Sequence, residues 1–236
     1  MSTPENCPWM HTSPRKVIYE DLESWRSHQG ERLRFPLNSV TIHVSLGYGE
    51  MFCYVNILYY EWILFLNREY IPFLPTSESE PQGPVDPPLL QAASPDGRWA
   101  ERANELFHAA ACITNILEDL EELDRPLATP FAGFCAFSIA TMNIYVAAFP
   151  RMNMGRSPNA DISAELHLIY IDKFRHVWKI GNGLVNWHMR GLLRNDGSKA
   201  DIRQALELSL AAVKLSGVNL LGGVPEIAEV LVERLF

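Results

Sequence analysis

The sequence has few cysteines, and none of them lie close together. Its 236 residues include four, Cys7, Cys53, Cys112 and Cys135. A structural zinc site needs ligand pairs about two to four residues apart, so this spacing excludes a zinc finger. The last three lie in apolar runs, where a reduced cysteine behaves as a small buried hydrophobe. Together with an N-terminus that lacks a signal-peptide core, they favour a reducing, intracellular compartment.

Basic residues are also scarce. Lys and Arg number 20 against 28 Asp and Glu, so the formal net charge is −8 and the sequence pI is about 5.4. Binding to a phosphate backbone needs a surplus of positive charge, so we expect no direct DNA binding by this chain. With 47% hydrophobic residues and a mean hydropathy of −0.05, the composition is that of a folded globular protein.

Uncharged runs are too few and too short to predict a membrane span. The longest, residues 131–149, contains Ser, Thr, Asn and several Ala, which suit close packing between helices. A second apolar run, residues 51–66, is interrupted by Glu61. A membrane helix needs about 20 predominantly apolar residues, with basic residues beside it. We therefore interpret both runs as core helices and expect no membrane partner.

Apolar residues recur at helical spacing along most of the chain, which predicts an all-α fold. Start signals of the cap-plus-proline type occur at Ser94-Pro95 and Thr129-Pro130. No strand is convincing, and the best candidate covers residues 40–44. We expect a disordered tail over residues 1–15 and a single irregular multi-helix domain over residues 16–236. The predicted helices cover residues 16–29, 48–70, 94–123, 130–149, 161–189, 198–210 and 226–235.

A proline-rich stretch interrupts this pattern. Residues 72–88 (PFLPTSESEPQGPVDPP) hold six prolines, so they can form neither a helix nor a sheet. The sequence predicts a Pro/Ser/Glu-rich loop over residues 72–93, inside the domain.

The long helix before this loop is apolar on most sides and is predicted to be central. Two polar strips run along it, one with Glu61 and Arg68 and the other with Asn56 and Asn67. Polar groups on a helix that other helices surround need buried partners. We therefore expect Glu61 and Arg68 to face neighbouring helices.

No catalytic, cofactor-binding or metal-binding motif is recognisable. The seven histidines form no HExxH motif and no pair at i, i+4, and there is no P-loop or nucleophile elbow. We interpret an acidic cluster as a solvated helix end and not as paired catalytic carboxylates. We name no site residue and no cofactor, and we expect no enzyme. The acidic cluster consists of Glu118, Asp119, Glu121, Glu122 and Asp124.

The long helix resembles that of the fungal-specific transcription factor domain, the middle homology region of fungal binuclear zinc-cluster regulators. Its end, Leu66-Asn67-Arg68-Glu69-Tyr70-Ile71-Pro72, is similar to the family's Leu-x-Arg-x-Phe/Tyr-x-Pro ending. A Pro/Ser-rich insertion, an Ala-rich helix at 100–120 and an uncharged helix from Thr129 follow in the family's order. An aromatic helix with Phe174, Val177, Trp178 and Trp187 completes a resemblance over residues 38–190.

The resemblance implies an all-helical regulatory domain of a nuclear transcription factor. It would act through intramolecular contacts or through protein partners, namely the transcription machinery or a DNA-binding family member. An effector metabolite is left open. Family members usually carry an N-terminal six-cysteine zinc cluster, whereas only Cys7 precedes residue 50 here. We expect this chain to lack its own DNA-binding module, either as a fragment or as a natural truncation.

A second hypothesis stays open at this point. An all-helical small-molecule-binding protein or enzyme would use aromatic residues such as Trp62, Tyr145 and Trp178 to line a pocket.

Overall fold

The computed structural model describes residues 7–68, 83, 92–127, 129–148 and 154–177. They confirm the all-α prediction, with no strand among them. The helices are α1 (Pro14–His28), a short 3₁₀ helix (Glu31–Leu33), α2 (Val40–Ser45), α3 (Gly49–Arg68), α4 (Arg98–Glu122), α5 (Pro130–Ala148) and α6 (Ala160–Val177).

Helices α3 and α4 pack against each other in antiparallel orientation. Near the end of α3, Asn67 lies 3.2 Å from Glu105, which is close to the start of α4. Further back along α3, the Tyr60 ring meets His108 edge to face at 6.1 Å. The fully buried side chains of this pair form much of the core: Phe52, Ile57, Leu64, Leu106, Phe107, Ile113, Ile116 and Leu117.

Helices α5 and α6 form a second antiparallel pair. Near the start of α5, Gly133 has no side chain, and the ring of Phe174 lies directly against it. Near the other end of α5, Asn143 lies 3.5 Å from His167. The pair joins the core through Phe131, whose ring stacks on Tyr54 of α3 at 6.1 Å.

Several helices begin where a side chain can satisfy a free backbone N–H. Ser13 accepts a hydrogen bond from the Lys16 backbone at 3.2 Å, with Pro14 at the first helical position of α1. Thr129 accepts from the Ala132 backbone at 3.3 Å, as the predicted start of α5 requires.

Two predictions of secondary structure differ from what the structure shows. Residues 40–44, the best strand candidate, belong to helix α2, because Ser39 caps it by accepting a hydrogen bond from the Ile42 backbone. Helix α4 begins at Arg98 and not at Ser94, because Gly97 takes a left-handed conformation with φ +72°. A residue in the left-handed conformation cannot continue a right-handed helix, so α4 starts after Gly97.

Residues 7–15 also differ from the expected disordered tail. Cys7 is fully buried, and Trp9 meets Trp99 of α4 edge to face at 6.1 Å. Arg98 donates a 3.0 Å hydrogen bond to the carbonyl of Pro8, and α1 already begins at Pro14. These contacts join residues about 90 positions apart, which a local sequence pattern cannot reveal.

Other predictions lie outside the described residues. These are the end of the long helix at residues 69–70, the predicted helices from residue 178 onward, and nearly all of the 72–93 loop. Gly83, the one described residue between 69 and 91, is buried and has φ +82°. In the part of the chain that the structure describes, no helix is long and apolar enough to cross a membrane.

Candidate functional site

The acidic cluster at the end of α4 makes surface contacts. Glu121 pairs with Lys173 of α6, and Asp124 follows the helix in a left-handed conformation. Burial and neighbouring carboxylates raise the pKa of Glu118 and of Asp119 above their ordinary values. Within the described ranges, no group of three or more His, Cys, Asp or Glu residues is arranged to hold a metal ion.

The described histidines lie apart from one another. His43 stacks on Phe52 with ring centroids 3.8 Å apart. His108 lies one turn before Cys112, with its Nε2 3.6 Å from the sulfur. His167 is fully buried between α5 and α6. These three histidines have different neighbours, and no shared contact joins them in the part of the chain that the structure describes.

Arg26 of α1 forms a buried hydrogen bond with Asn56 in the middle of α3. The Arg26 guanidinium is buried, and it donates a 2.9 Å hydrogen bond to Asn56 Oδ1 and a 3.0 Å bond to the Phe35 carbonyl. Asn56 in turn donates to the carbonyls of Phe52 and Leu33 at 2.7 and 2.9 Å. The amide therefore holds α1, α3 and the intervening turn together.

A second arginine of α1, Arg15, is hydrogen-bonded to the end of α3. Arg15 donates a 2.6 Å hydrogen bond to Asn67 Oδ1 and a 3.0 Å bond to the Leu66 carbonyl. Asn67 also donates to Glu105 of α4 at 3.2 Å, and Arg102 donates to the same carboxylate at 2.7 Å. The strip of Asn56 and Asn67 thus has buried partners, as the sequence predicts.

Arg15 and Arg26 were not predicted as partners of the two asparagines, although their spacing in the sequence carries a signal. The two arginines are 26 − 15 = 11 positions apart, and their asparagine partners are 67 − 56 = 11 positions apart. Eleven residues make about three helical turns, so each pair lies on one side of its helix. Matching polar spacings on two helices predict two matched contacts, and the observed pairing of Arg15 with Asn67 and of Arg26 with Asn56 makes the two helices antiparallel.

The other polar strip of α3, which contains Glu61 and Arg68, faces α5 at Glu61. Glu61 is 2% exposed, and neither carboxylate oxygen has a hydrogen-bond partner of good geometry among the described residues. Burial raises the pKa of Glu61 to about 8, although Ser138, the positive charge of Arg68 and Cys135 oppose that rise. Arg68 is half-buried, and burial lowers its pKa. The carboxyl group is therefore mostly neutral near pH 7.

His167 is a second buried titratable group. Its Nδ1–H donates to the Ser163 carbonyl of the same helix, which leaves Nε2 as an acceptor without a partner in the described part of the chain. Burial lowers the pKa of His167 to about 4. The imidazole is therefore neutral at physiological pH and acts as a polar core residue.

Five strongly exposed apolar residues lie between Leu37 and Met51, along α2 and around the start of α3. We call this set the corner surface: Leu37, Ile42, Leu46, Tyr48 and Met51, which are 67%, 52%, 62%, 64% and 67% exposed. Large apolar side chains concentrated on a surface mark contact sites, whereas scattered single ones are ordinary. Each is followed or preceded by a polar residue or glycine, so no apolar run in the sequence marks this surface.

Of the three aromatic residues of the pocket hypothesis, the structure describes the side chain of Trp62. Trp62 is half-buried and lies 6.0 Å from Phe65 on its own helix. The Tyr145 side chain and Trp178 lie outside the described part.

Comparison with known proteins links the chain to fungal regulators. No family model and no solved structure matches it. It is similar to the Zn(2)-C6 fungal-type transcription factor FTF2 of Fusarium oxysporum f. sp. lycopersici, with 24% identity over 210 residues. Two further transcription factors of the same organism match, FTF1a with 24% identity over 155 residues and FTF1c with 30% over 92 residues.

These matches cover between 39% and 89% of this chain but at most 17% of the relatives. The FTF2 match takes in 89% of this chain and 17% of that protein. The FTF1a match takes in 66% and 12%, and the FTF1c match 39% and 9%. The chain therefore spans less than a fifth of the length of these relatives. At this level the similarity supports a relationship with fungal transcription factors.

Proposed function

We propose that this chain is the regulatory domain of a fungal zinc-cluster-type transcription factor, a fungal-specific transcription factor domain that acts in the nucleus and is not an enzyme. The observation that carries the proposal is the similarity to FTF2 over 89% of the chain. The helical architecture agrees with the fold that the resemblance implies.

The proposed domain regulates transcription through intramolecular or protein contacts and does not read DNA itself. A net charge of −8 opposes a phosphate backbone, and four dispersed cysteines cannot form a six-cysteine zinc cluster. The corner surface, with Met51 at 67% exposure, offers an apolar contact site for such regulation.

A tethering experiment tests this function. The full chain is fused to an unrelated DNA-binding domain, and expression of a reporter gene with the matching sites is measured in fungal cells. We expect the fusion to change reporter output relative to the DNA-binding domain alone. Met51→Asp should alter that effect, whereas Thr41→Asp, an equal charge change at an exposed position of α2, should not. Reporter output equal to that of the DNA-binding domain alone would contradict the proposal.

A further inference from the structure

The Ser94-Pro95 dipeptide does not cap a helix in the structure. Helix α4 begins at Arg98, after the left-handed Gly97, and no side chain caps it by a hydrogen bond. Ser94 is half-buried in an irregular segment, and the three residues that follow it are exposed. The dipeptide that predicts a helix start therefore lies in an accessible turn.

Two other Ser/Thr-Pro dipeptides in the described chain do begin helices. Ser13 is fully buried, and its hydroxyl accepts a hydrogen bond from the Lys16 backbone. Thr129 accepts one from the Ala132 backbone at 3.3 Å. An enzyme that modifies a side chain must bind the backbone around it, which exposed irregular segments allow and ordered helix starts resist. Ser-Pro in an exposed turn is the pattern that proline-directed protein kinases recognise, and Ser94 fits it where Ser13 does not.

Arg98 links this turn to the N-terminal segment. Its backbone N–H donates a 3.3 Å hydrogen bond to the Pro95 carbonyl and closes the turn. Its guanidinium donates a 3.0 Å hydrogen bond to the Pro8 carbonyl and lies 5.7 Å from the centre of the Trp9 ring. The Arg98 side chain is therefore one of the contacts that hold residues 7–9 on α4.

The turn keeps Ser94 within reach of that guanidinium. The Cα atoms at the two ends of such a turn lie within about 7 Å of each other, and Ser94 is one residue, about 3.8 Å, before the first of them. A phosphoserine carries up to about two negative charges and three acceptor oxygens. A guanidinium binds a phosphate more strongly than it binds a neutral carbonyl. A phosphate on Ser94 would therefore compete with the Pro8 carbonyl for Arg98.

We propose that Ser94 is a phosphorylation site for a proline-directed protein kinase, and that the phosphate draws Arg98 away from Pro8 and loosens residues 7–9. In the reaction, the Ser94 hydroxyl oxygen bonds to the γ-phosphorus of ATP, and the bond from that phosphorus to the bridging oxygen of ADP breaks. ADP leaves, and the hydroxyl proton passes through the kinase to solvent. The site does not depend on the proposed transcriptional role.

A kinase reaction on the full chain tests the first part. The purified chain is incubated with a mitogen-activated protein kinase and ATP, and the phosphorylated residues are mapped and quantified by mass spectrometry over time. We expect phosphate on Ser94 at a rate at least about ten-fold higher than on Ser13 or Thr129, because these two must wait for local opening of a helix start.

The reactivity of Cys7 measures the second part. All four native cysteines are buried and should react slowly with a maleimide in the unmodified chain. After phosphorylation we expect Cys7 to react about ten-fold faster, since it adjoins the loosened contact. Continued slow labelling of Cys53, Cys112 and Cys135 shows that the rest of the fold is intact.

Three variants separate the site from its surroundings. Ser94→Ala should abolish the effect of the kinase on Cys7. Ser157→Ala is the matched control, because Ser157 is also half-buried and also precedes a proline, and in this variant the effect should persist. In Arg98→Gln the contact with Pro8 is already lost, so the kinase should cause no further rise in Cys7 labelling.

Three results would overturn the inference. The first is phosphorylation of Ser94 that is absent or no faster than that of Ser13. The second is a Cys7 labelling rate that phosphate on Ser94 leaves unchanged. The third is a kinase-dependent rise that persists in Ser94→Ala or in Arg98→Gln. Because these assays measure modification and local opening and not transcription, none of these results bears on the tethering experiment.

Discussion

Replacing Glu61 by Gln should stabilise the protein near neutral pH and flatten the pH dependence of its stability. Glu61 is 2% exposed, and burial raises its pKa from 4.5 to about 8 against the opposing effects of Ser138, Arg68 and Cys135. Gln has nearly the same shape as a protonated Glu but cannot ionise. The substitution therefore removes the proton equilibrium and keeps the packing.

The sign of the effect follows from the two pKa values. Below about pH 4.5 the carboxyl is protonated in both the folded and the unfolded chain, so Glu61 makes no pH-dependent contribution. Between 4.5 and about 8 the unfolded chain loses its proton while the folded chain keeps it. A rise in pH through this window therefore lowers the free energy of unfolding. Above about 8 both states are ionised and the loss is complete.

The size of the effect comes from the width of that window. At about 1.4 kcal/mol per pH unit, the interval from 4.5 to pH 7 corresponds to roughly 3 kcal/mol of lost stability. The Gln variant should therefore exceed the unchanged protein by up to about 3 kcal/mol at pH 7 and by almost nothing near pH 4.5. His167, with its pKa lowered by burial, weakens both proteins equally in acid and cancels in the difference.

Urea unfolding between pH 5 and 8, followed by tryptophan fluorescence, measures this difference directly. Glu165→Gln, on an exposed position of α6, serves as the matched control and should track the unchanged protein at every pH. If the Glu61→Gln and unchanged curves run parallel between pH 5 and 8, the carboxyl is not held neutral in the folded state. The account of Glu61 would then be refuted.

Three further predictions concern packing and binding. Asn56→Ala removes one acceptor of the buried Arg26 guanidinium and the acceptor of the Phe35 N–H, so chemical denaturation should show a loss of about 2–4 kcal/mol. Gly133→Ala places a methyl group 2.5 Å from the Phe174 ring, so the melting temperature should drop, by the equivalent of about 1–3 kcal/mol; an unchanged value would show that the ring moves freely. Elemental analysis should find no stoichiometric zinc, and a fluorescence anisotropy titration at about 150 mM salt should find no sequence-selective DNA binding by the chain.

Helical periodicity made the main elements predictable, because a core-facing helix must repeat its apolar residues every three to four positions. Helix α3 and its two polar strips follow directly from that rule. Residues 40–44 did not, since alternating Val40, Ile42 and Val44 also fit a strand, and Ser39 at the start of α2 decides the outcome. The start of α4 differs from the predicted Ser94 for a similar local reason, because Gly97 is left-handed.

Contacts between distant segments were beyond local sequence patterns. The packing of Trp9 on Trp99 depends on where the chain folds back, so no periodicity indicates it. The corner surface was missed for a different reason: its residues have ordinary apolar character, and only their exposure distinguishes them. Leu46 in the sequence resembles the buried Leu64 until the surrounding helices are known.

The hydrogen bonds of Arg26 and Asn56 explain why this corner keeps a fixed shape. Arg26 and Asn56 bind the backbone of the turn at residues 33–35, and Tyr60 donates a 2.7 Å hydrogen bond to the Phe35 carbonyl in the same turn. That turn leads directly into α2, whose Val40 is fully buried. Buried polar networks with every group satisfied favour one arrangement, because each alternative leaves a donor or acceptor without a partner. The interior polar groups of α3 thus hold α2 in place, so the exposed apolar side chains of the corner are presented in a defined geometry.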